Sequence, residues 1–312
     1  MTHDTTSLPG SRTALGLGLA VLSATSFGLS GALARGLLEA GWTTGAAVLV
    51  RILVAAAVLL GPALLGLRGR WHLLRQNATL LGVYGVVAVA GCQYAFFNAV
   101  AYLPVSVALL VEYTAPVAVV SWLWLRYGHR PGPKTVGGGL LAALGLVLVL
   151  DLTSGVSVSG VGVLWALGAM LGAATYFVLS AQEGNGLPPL VLAAAGLLVG
   201  GLALSLAGLV GLVPMAVTGS PVTYAPGTVP WWVPVLLLGV VTAALAYTTG
   251  IAAGRRLGSR LASFVALSEV LAALGFAWLL LGELPGPVQI VGGALIVAGV
   301  VVVKLGEGRV AS

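Results

Sequence analysis

The chain is a succession of long apolar runs, and this feature constrains its fold more than any other. A bilayer core about 30 Å thick is crossed by roughly 20 apolar residues in a helix, so runs of this length predict membrane-spanning helices. Breaks marked by polar residues, proline or glycine divide the sequence into ten such runs. The predicted spans are 13–34, 43–66, 78–100, 104–125, 134–150, 160–180, 187–213, 231–252, 258–281 and 287–304.

Composition supports a protein whose surface faces lipid. Hydrophobic residues make up 59% of the 312 residues and charged residues only 7%, whereas a soluble domain carries about 25% charged residues. The 46 glycines suit helices whose backbones approach closely in a bilayer. The first apolar run follows a weakly charged start and has no convincing A-x-A cleavage site, so we expect a retained helix rather than a signal peptide.

The few reactive side chains exclude several kinds of site. Cys92 is the single cysteine and lies inside an apolar run, so an intrachain disulfide or a thiolate metal cage is excluded. His3, His72 and His129 lie in polar connecting segments, and we expect no metal and no cofactor. The net charge of +6 comes from dispersed basic residues, which membrane topology explains better than nucleic-acid binding. The expected partners are the lipid bilayer and a small-molecule substrate.

The distribution of Lys and Arg predicts the orientation, because cytoplasmic loops carry an excess of these residues. With the N-terminus in the cytoplasm and ten spans, twelve of the fourteen fall in cytoplasmic segments. Arg35 falls outside and Arg51 lies within a span. Both termini are therefore predicted to be cytoplasmic. The twelve are Arg12, Arg68, Arg70, Arg75, Arg126, Arg130, Lys134, Arg255, Arg256, Arg260, Lys304 and Arg309.

An internal repeat is the most specific feature of the sequence. Residues 128–149 and 282–303 match at a constant offset of 154, with seven coincidences of glycine or proline in register. A low-complexity helix matches by chance in Val and Leu far more easily than in these residues. The coincidences are Gly128/Gly282, Pro131/Pro285, Gly132/Gly286, Pro133/Pro287, Gly138/Gly292, Gly139/Gly293 and Gly145/Gly299.

The repeat predicts the domain organisation of an all-α integral membrane protein. Each half holds an odd number of spans, so the second half enters the membrane with opposite orientation, a construction typical of secondary transporters. We predict two inverted five-helix repeats at 13–150 and 160–304. A linker at 151–159 joins them, and cytoplasmic tails cover 1–12 and 305–312.

Three segments resemble the EamA-type proteins of the drug/metabolite transporter superfamily. They are LEAGWTTGAAVLVRILVAAAVLL at 38–60, LPVSVALLVEYTAPVAVVSWLWL at 103–125 and ALSEVLAALGFAWLLLGELPGPVQIVGGALIVAGVVVV at 266–303. The last resembles the paired ninth and tenth helices of that family, although Val270 stands where the family often has proline. The VEYTAP stretch is similar to the branch that includes amino-acid exporters. The resemblance implies a basket of ten helices and efflux of small metabolites.

Three charged residues lie within predicted spans, where charges are costly and usually functional. Arg51 and Glu112 lie about eight residues from the outer face and Glu269 about twelve, so all three occupy a similar depth. Our hypothesis is that they face a central cavity, with Arg51 neutralising one carboxylate. The alternatives are an arginine that snorkels to the outer interface and neutral carboxyls bonded to neighbouring helices.

Pro116 and several polar or aromatic groups complete the candidate substrate or ion site. Pro116 removes the N–H that would bond the Glu112 carbonyl, so a kink is expected there, which either exposes a carbonyl to the substrate or merely shapes the basket. Tyr94 and Tyr247 lie at nearly equivalent repeat positions, at an offset of 153. The further candidate residues are Tyr94, Asn98, Tyr113, Thr114, Tyr176, Tyr247 and Ser268.

These features favour a secondary transporter that exports amino acids or similar small metabolites by alternating access. The sequence has no P-loop, and Glu112 and Glu269 are candidates for proton coupling, with uniport and exchange as alternatives. A carrier of drugs or other metabolites, a channel and a non-transporting membrane protein stay open. An intramembrane enzyme is disfavoured, because the spans contain no histidine and no metal-ligand spacing. We expect a multi-pass protein of the inner or plasma membrane, and a homodimer is a further expectation.

Overall fold

Helices dominate the structure, a computed structural model that describes residues 9–102, 105–149, 159–282 and 284–307. The helices of the first half are α1 (Pro9–Glu39), α2 (Thr44–Gly66), α3 (His72–Gln76), α4 (Ala78–Val83), α5 (Cys92–Tyr102), α6 (Val105–Glu112), α7 (Ala115–Tyr127) and α8 (Pro133–Val149). Those of the second half are α9 (Gly160–Ser180), α10 (Pro189–Leu209), α11 (Trp232–Gly239), α12 (Ala246–Ala266), α13 (Ser268–Phe276) and α14 (Pro287–Glu307).

Three π-helical segments continue these helices, and one two-stranded sheet lies between α10 and α11. Tyr84–Gly91 joins α4 to α5, Val240–Leu245 joins α11 to α12, and Ala277–Leu281 extends α13. The strands are β1 (Val222–Tyr224) and β2 (Gly227–Val229), which pair antiparallel.

Seven helices in the described residues are long and apolar enough to cross a membrane, whereas the sequence predicted ten spans. The other predicted spans are shorter or broken helices. The fifth, α8, has 17 residues, and the fourth is divided into α6 and α7. The seven are Thr13–Glu39, Thr44–Gly66, Ala78–Phe96, Gly160–Ser180, Pro189–Leu209, Trp232–Ala266 and Pro287–Gly306.

The break between α6 and α7 has an equivalent between α12 and α13. Pro116 is the second residue of α7, and the hydroxyl of Thr114 donates to the Val111 carbonyl over 2.6 Å. At the other break, the hydroxyl of Ser268 donates to the Val265 carbonyl over 2.7 Å. Donor and acceptor of the second bond each lie 154 positions after those of the first. The two halves therefore interrupt equivalent helices in the same way.

Gly258 separates the predicted eighth and ninth spans. Its φ of 76° and ψ of 161° interrupt the helical backbone of α12. This conformation is strained for residues with a Cβ and accessible to glycine. Gly258 lies 154 positions after Pro104, and the predicted turn at Leu103 and Pro104 lies outside the described residues.

Helices α8 and α14 pack closely, and equivalent glycines form the contact. A Cβ built on Gly138 would lie 2.6 Å from the Gly299 carbonyl oxygen, and one built on Gly145 would lie 2.5 Å from that of Gly292. Gly138, the earlier glycine in α8, contacts Gly299, the later glycine in α14. The two helices therefore run antiparallel. These four residues are two of the repeat pairs, so the close packing explains why glycine stands at both members of each pair.

The β1–β2 hairpin is a small addition to the predominantly helical structure that the sequence predicted. The hydroxyl of Tyr224 donates to the Leu33 carbonyl over 3.0 Å, and the Ala225 N–H donates to the Leu280 carbonyl over 2.7 Å. The hairpin thus ties the end of α1 to the end of the α13 extension. Burial, together with the nearby Glu39, raises the pKa of Tyr224 to about 12, so its hydroxyl remains a donor at neutral pH.

Several predicted boundaries fall at or beyond the limits of the described residues. Helix α1 begins at Pro9, inside the predicted tail 1–12, and α14 ends at Glu307, inside the predicted tail 305–312. Residues 1–8 and 308–312 of these tails lie outside the described residues. The same holds for all but the last residue of the predicted linker 151–159.

Candidate functional site

A cavity of about 320 Å³ lies between helices of both halves. Its walls include residues of α1, α2, α5, α6, α7, α9, α12 and α13. Arg51, Glu112 and Glu269, the three charged residues singled out in the sequence, all line it. No cluster of three or more His, Cys, Asp or Glu side chains that could hold a metal is found within the described residues.

Arg51 is buried in the cavity wall, with 9% of its surface exposed. It donates from Nη1 to Oε1 of Gln93 over 3.3 Å and from Nη2 to the Thr242 carbonyl over 2.6 Å. Its guanidinium lies 5.8 Å from the ring centre of Phe27. Thr242 belongs to the π-helical segment Val240–Leu245, so Arg51 links the two halves. The side chain therefore does not snorkel towards the outer interface.

The expected ion pair of Arg51 with a glutamate is not formed among the described residues. Nε of Arg51 is buried and has no hydrogen-bond partner within them. Glu269 is near enough to attract the guanidinium electrostatically. The cation is thus held in the wall by neutral acceptors, and part of its donor capacity is unused.

The two carboxylates flank the equivalent helix breaks. Glu112 is the last residue of α6, and its Oε1 lies 3.7 Å from the Cys92 thiol. Glu269 is in the first turn of α13, where the helix dipole favours negative charge, and it faces the Tyr113 hydroxyl. The two carboxylates are near enough to repel each other. The breaks therefore place two acidic groups together in one apolar cavity.

Aromatic side chains form another part of the cavity wall. The ring centres of Phe27 and Tyr247 are 5.2 Å apart, and those of Tyr176 and Tyr247 are 5.6 Å apart, both edge to face. Phe177 packs on Tyr176 in the same manner at 5.0 Å. Such contacts stabilise a rigid apolar surface, which can receive the hydrocarbon part of a solute.

The structure brings together most of the candidate residues predicted from sequence. Seven line the cavity and four do not. Tyr94 packs edge to face on Trp165 and donates to the Leu212 carbonyl, while Asn98 donates to the carbonyl of Tyr94. The hydroxyls of Thr114 and Ser268 donate to backbone carbonyls at the two helix breaks. The seven are Arg51, Glu112, Tyr113, Pro116, Tyr176, Tyr247 and Glu269.

Other residues also line the cavity, and Gln93, which is a mid-span polar residue like several of the predicted ones, is the most informative. Its Nε2 donates to the hydroxyl of Tyr247 over 3.4 Å, and it also accepts from Arg51. The offset of 154 makes Gln93, and not Tyr94, the equivalent of Tyr247. Extending the repeat register from the last span of each half to the third and eighth spans would have identified it. Phe27 and Cys92 also line the cavity, and no sequence pattern marks them.

Comparison with known proteins identifies the family. The model of the EamA-like transporter family matches residues 14–151 and 160–305, which confirms the resemblance. A solved structure, described only as a crystal structure of a protein, is 22% identical with a TM-score of 0.73. The alignment covers 96% of this chain and 99% of that one, and the likeness shows a shared fold. No curated protein gives a significant match. The chain therefore belongs to the EamA-like transporter family, a family of multi-pass membrane transporters in the drug/metabolite transporter superfamily.

Proposed function

We propose that this protein is a secondary transporter that exports amino acids or similar small metabolites by alternating access. The observation that carries the proposal is the cavity with a guanidinium and two carboxylates on its walls. Arg51 offers donors for a carboxylate, and Glu112 and Glu269 offer acceptors for an ammonium group. Since the rest of the wall is largely apolar and aromatic, a small amphipathic zwitterion fits this chemistry.

We further propose ten membrane crossings with both termini in the cytoplasm. The interrupted helices support this topology, because α6 with α7, and the end of α12 with α13, continue one another across short turns. The antiparallel α8 and α14 support an inverted second repeat. The excess of Lys and Arg on one side supports the orientation. The same distribution suits a bacterial inner membrane or another plasma membrane.

Contacts at both ends of the cavity support alternating access. At the proposed outer end, the backbone N–H of Thr43 donates to the Ala216 carbonyl over 3.0 Å, in addition to the hairpin contacts. At the proposed inner end, Asn77 donates to the Asn185 carbonyl over 3.0 Å. Arg255 donates to the carbonyl of Leu187. The first two contacts join the two repeats. In alternating access, the contact at one end of the cavity breaks while the contact at the other end stays formed.

The test is transport by the purified protein in liposomes. The lumen holds a mixture of amino acids and other small metabolites, and efflux of each is measured with and without a pH gradient. We expect saturable efflux of one chemical class that is slower, though still measurable, in Glu112→Gln or Glu269→Gln. Glu39→Gln is the matched control, because Glu39 is exposed and paired with Arg35 away from the cavity. Unchanged efflux in both cavity variants would contradict the proposed site.

A further inference from the structure

The cavity holds unequal numbers of fixed positive and negative charges. Among the described lining residues, Arg51 is the one cation, and Glu112 and Glu269 are the two anions. Ionised charges inside a membrane protein are costly unless a counterion balances them. Two carboxylates and one guanidinium therefore leave a need for one more positive charge, which either a proton or a cationic group of the solute can supply.

Each of the three charged groups is contacted by neutral partners, and none forms an ion pair with another residue that the structure describes. Arg51 bonds to the Gln93 side chain and to a backbone carbonyl, with its Nε unpartnered within the described residues. Oε1 of Glu112 accepts a hydrogen bond from the Cys92 thiol, and Glu269 faces the Tyr113 hydroxyl. These neutral contacts orient the three groups, and a solute that enters the cavity can supply the opposite charges.

We propose that the substrate class is a diamino monocarboxylic acid, that is, a basic amino acid. Its carboxylate binds Arg51, and its two ammonium groups bind Glu112 and Glu269, so that every charge in the occupied cavity has an opposite partner. The alkyl chain between the ammonium groups packs on the aromatic wall around Phe27 and Tyr247. This inference rests on the proposed transport function and adds the charge pattern of the solute.

The geometry of the carboxylates agrees with a solute that carries two cationic groups. Glu112 and Glu269 follow and precede equivalent helix breaks and are near enough to repel each other. Two neighbouring ammonium sites can be filled by one flexible chain. A solute with one ammonium group fills one of them and leaves the other carboxylate without a counterion.

The test is a competition series with the wild-type protein in liposomes. Labelled lysine and labelled norleucine are each taken up by counterflow, and unlabelled lysine, norleucine and cadaverine compete. Norleucine lacks only the second ammonium group, and cadaverine lacks only the carboxylate. We expect lysine to inhibit at concentrations at least about tenfold lower than either analogue.

Two outcomes would overturn the inference, and they are distinguishable. Counterflow of norleucine without preference for lysine overturns the substrate class and leaves the carrier function intact. Absence of counterflow for every solute, including the wider metabolite mixture, overturns the proposed function and the inference with it.

Variants assign each charge to its part of the solute. Glu112→Gln and Glu269→Gln should each lower the preference for lysine over norleucine at least about tenfold, and Arg51→Gln should lower the preference for lysine over cadaverine equally. Glu39→Gln, which is exposed, should keep both preferences. These ratios compare two solutes on one preparation, so a reduced amount of folded protein does not change them. Retained preferences in all three cavity variants would overturn the assignment.

Discussion

Gln93 and Tyr247 contact each other in the wall of the cavity, with the amide Nε2 3.4 Å from the hydroxyl oxygen. They are 154 positions apart, the offset that also relates Gly138 to Gly292. In a twofold arrangement, residues near the axis meet their own equivalents. The contact therefore marks the pseudo-twofold axis of the two repeats and places it through the charged cavity.

Removing the Tyr247 hydroxyl should impair transport more than stability. Tyr247→Phe keeps the ring contacts with Phe27 and Tyr176 and deletes the bond to Gln93, which also accepts from Arg51. We expect a loss of about 1 kcal/mol in unfolding free energy and a clear fall in the maximal counterflow rate. Thermal unfolding and counterflow measured on one preparation check this. Unaltered counterflow would show that the contact across the axis has no role in transport.

The glycine contact between α8 and α14 should not tolerate a methyl group. In Gly145→Ala the new Cβ would meet the Gly292 carbonyl oxygen at about the 2.5 Å of the present backbone, so we expect a loss of about 1–3 kcal/mol. Gly137→Ala is the matched control in the same helix, because no atom lies within 4 Å of a Cβ placed there. That variant should be neutral or slightly stabilised. Equal melting temperatures of the two variants would contradict the packing.

The proposed topology predicts opposite labelling of two loops. Single cysteines replace the exposed Thr228 of β2 and the exposed Arg130 between α7 and α8, in a Cys92→Ser background that removes the chain's one cysteine. A membrane-impermeant maleimide added to intact cells should label position 228 and should reach position 130 only after lysis. Labelling of both positions in intact cells, or the reverse order, would contradict the orientation.

Proton coupling through the two carboxyls predicts that an inward proton gradient drives efflux of a basic amino acid. The second ammonium group of the solute replaces a proton on one of the two carboxyls, so the cavity returns with a proton after the solute has left. External acid should accelerate efflux from liposomes, and this acceleration should disappear in Glu112→Gln or Glu269→Gln. The ionisable groups around the two carboxyls are Arg51, Cys92, Tyr113, Tyr176 and Tyr247.

The control for coupling is Glu39→Gln, which alters an exposed carboxyl of the same type. It should respond to the gradient as the wild type does. Persistence of the acceleration in both cavity variants would exclude these carboxyls as the coupling groups.

The charged residues of the site could be predicted from sequence, because a charge within an apolar run is rare and costly. Arg51, Glu112 and Glu269 line one cavity, as the similar depths in the spans indicated. The partner of Arg51 could not be predicted. It is the backbone carbonyl of Thr242 in a π-helical segment. Every residue has a backbone carbonyl, so the sequence does not indicate which one accepts the hydrogen bond.

An error of one residue in the alignment of the two repeats assigned the wrong equivalent to Tyr247. The offset of 153 paired Tyr94 with Tyr247, whereas 154 pairs Gln93 with it. One residue turns a helix by about 100°, which is enough to place Tyr94 outside the cavity beside Trp165. In runs of Ala, Val and Leu, few landmarks fix the register away from the glycines and prolines.

The hairpin between α10 and α11 had a sequence signal that the prolines obscured. Valine, threonine and tyrosine at 222–224 precede a Pro-Gly turn at 226–227 and a further Thr-Val pair, a pattern typical of a short hairpin. Four prolines lie between 214 and 230, and such a composition is more typical of an irregular loop. The contacts of Tyr224 and Ala225 with the helix ends are tertiary, and no local pattern predicts them.

If the charged cavity is the substrate path of a carrier, the protein must catalyse counterflow. Liposomes loaded with an unlabelled solute are diluted into a trace of the labelled one. We predict transient accumulation above equilibrium by the wild type and by Glu39→Gln, with a clearly lower peak in Glu269→Gln. Uptake that only approaches equilibrium, at a rate proportional to concentration, would show a pore and contradict transport by a carrier.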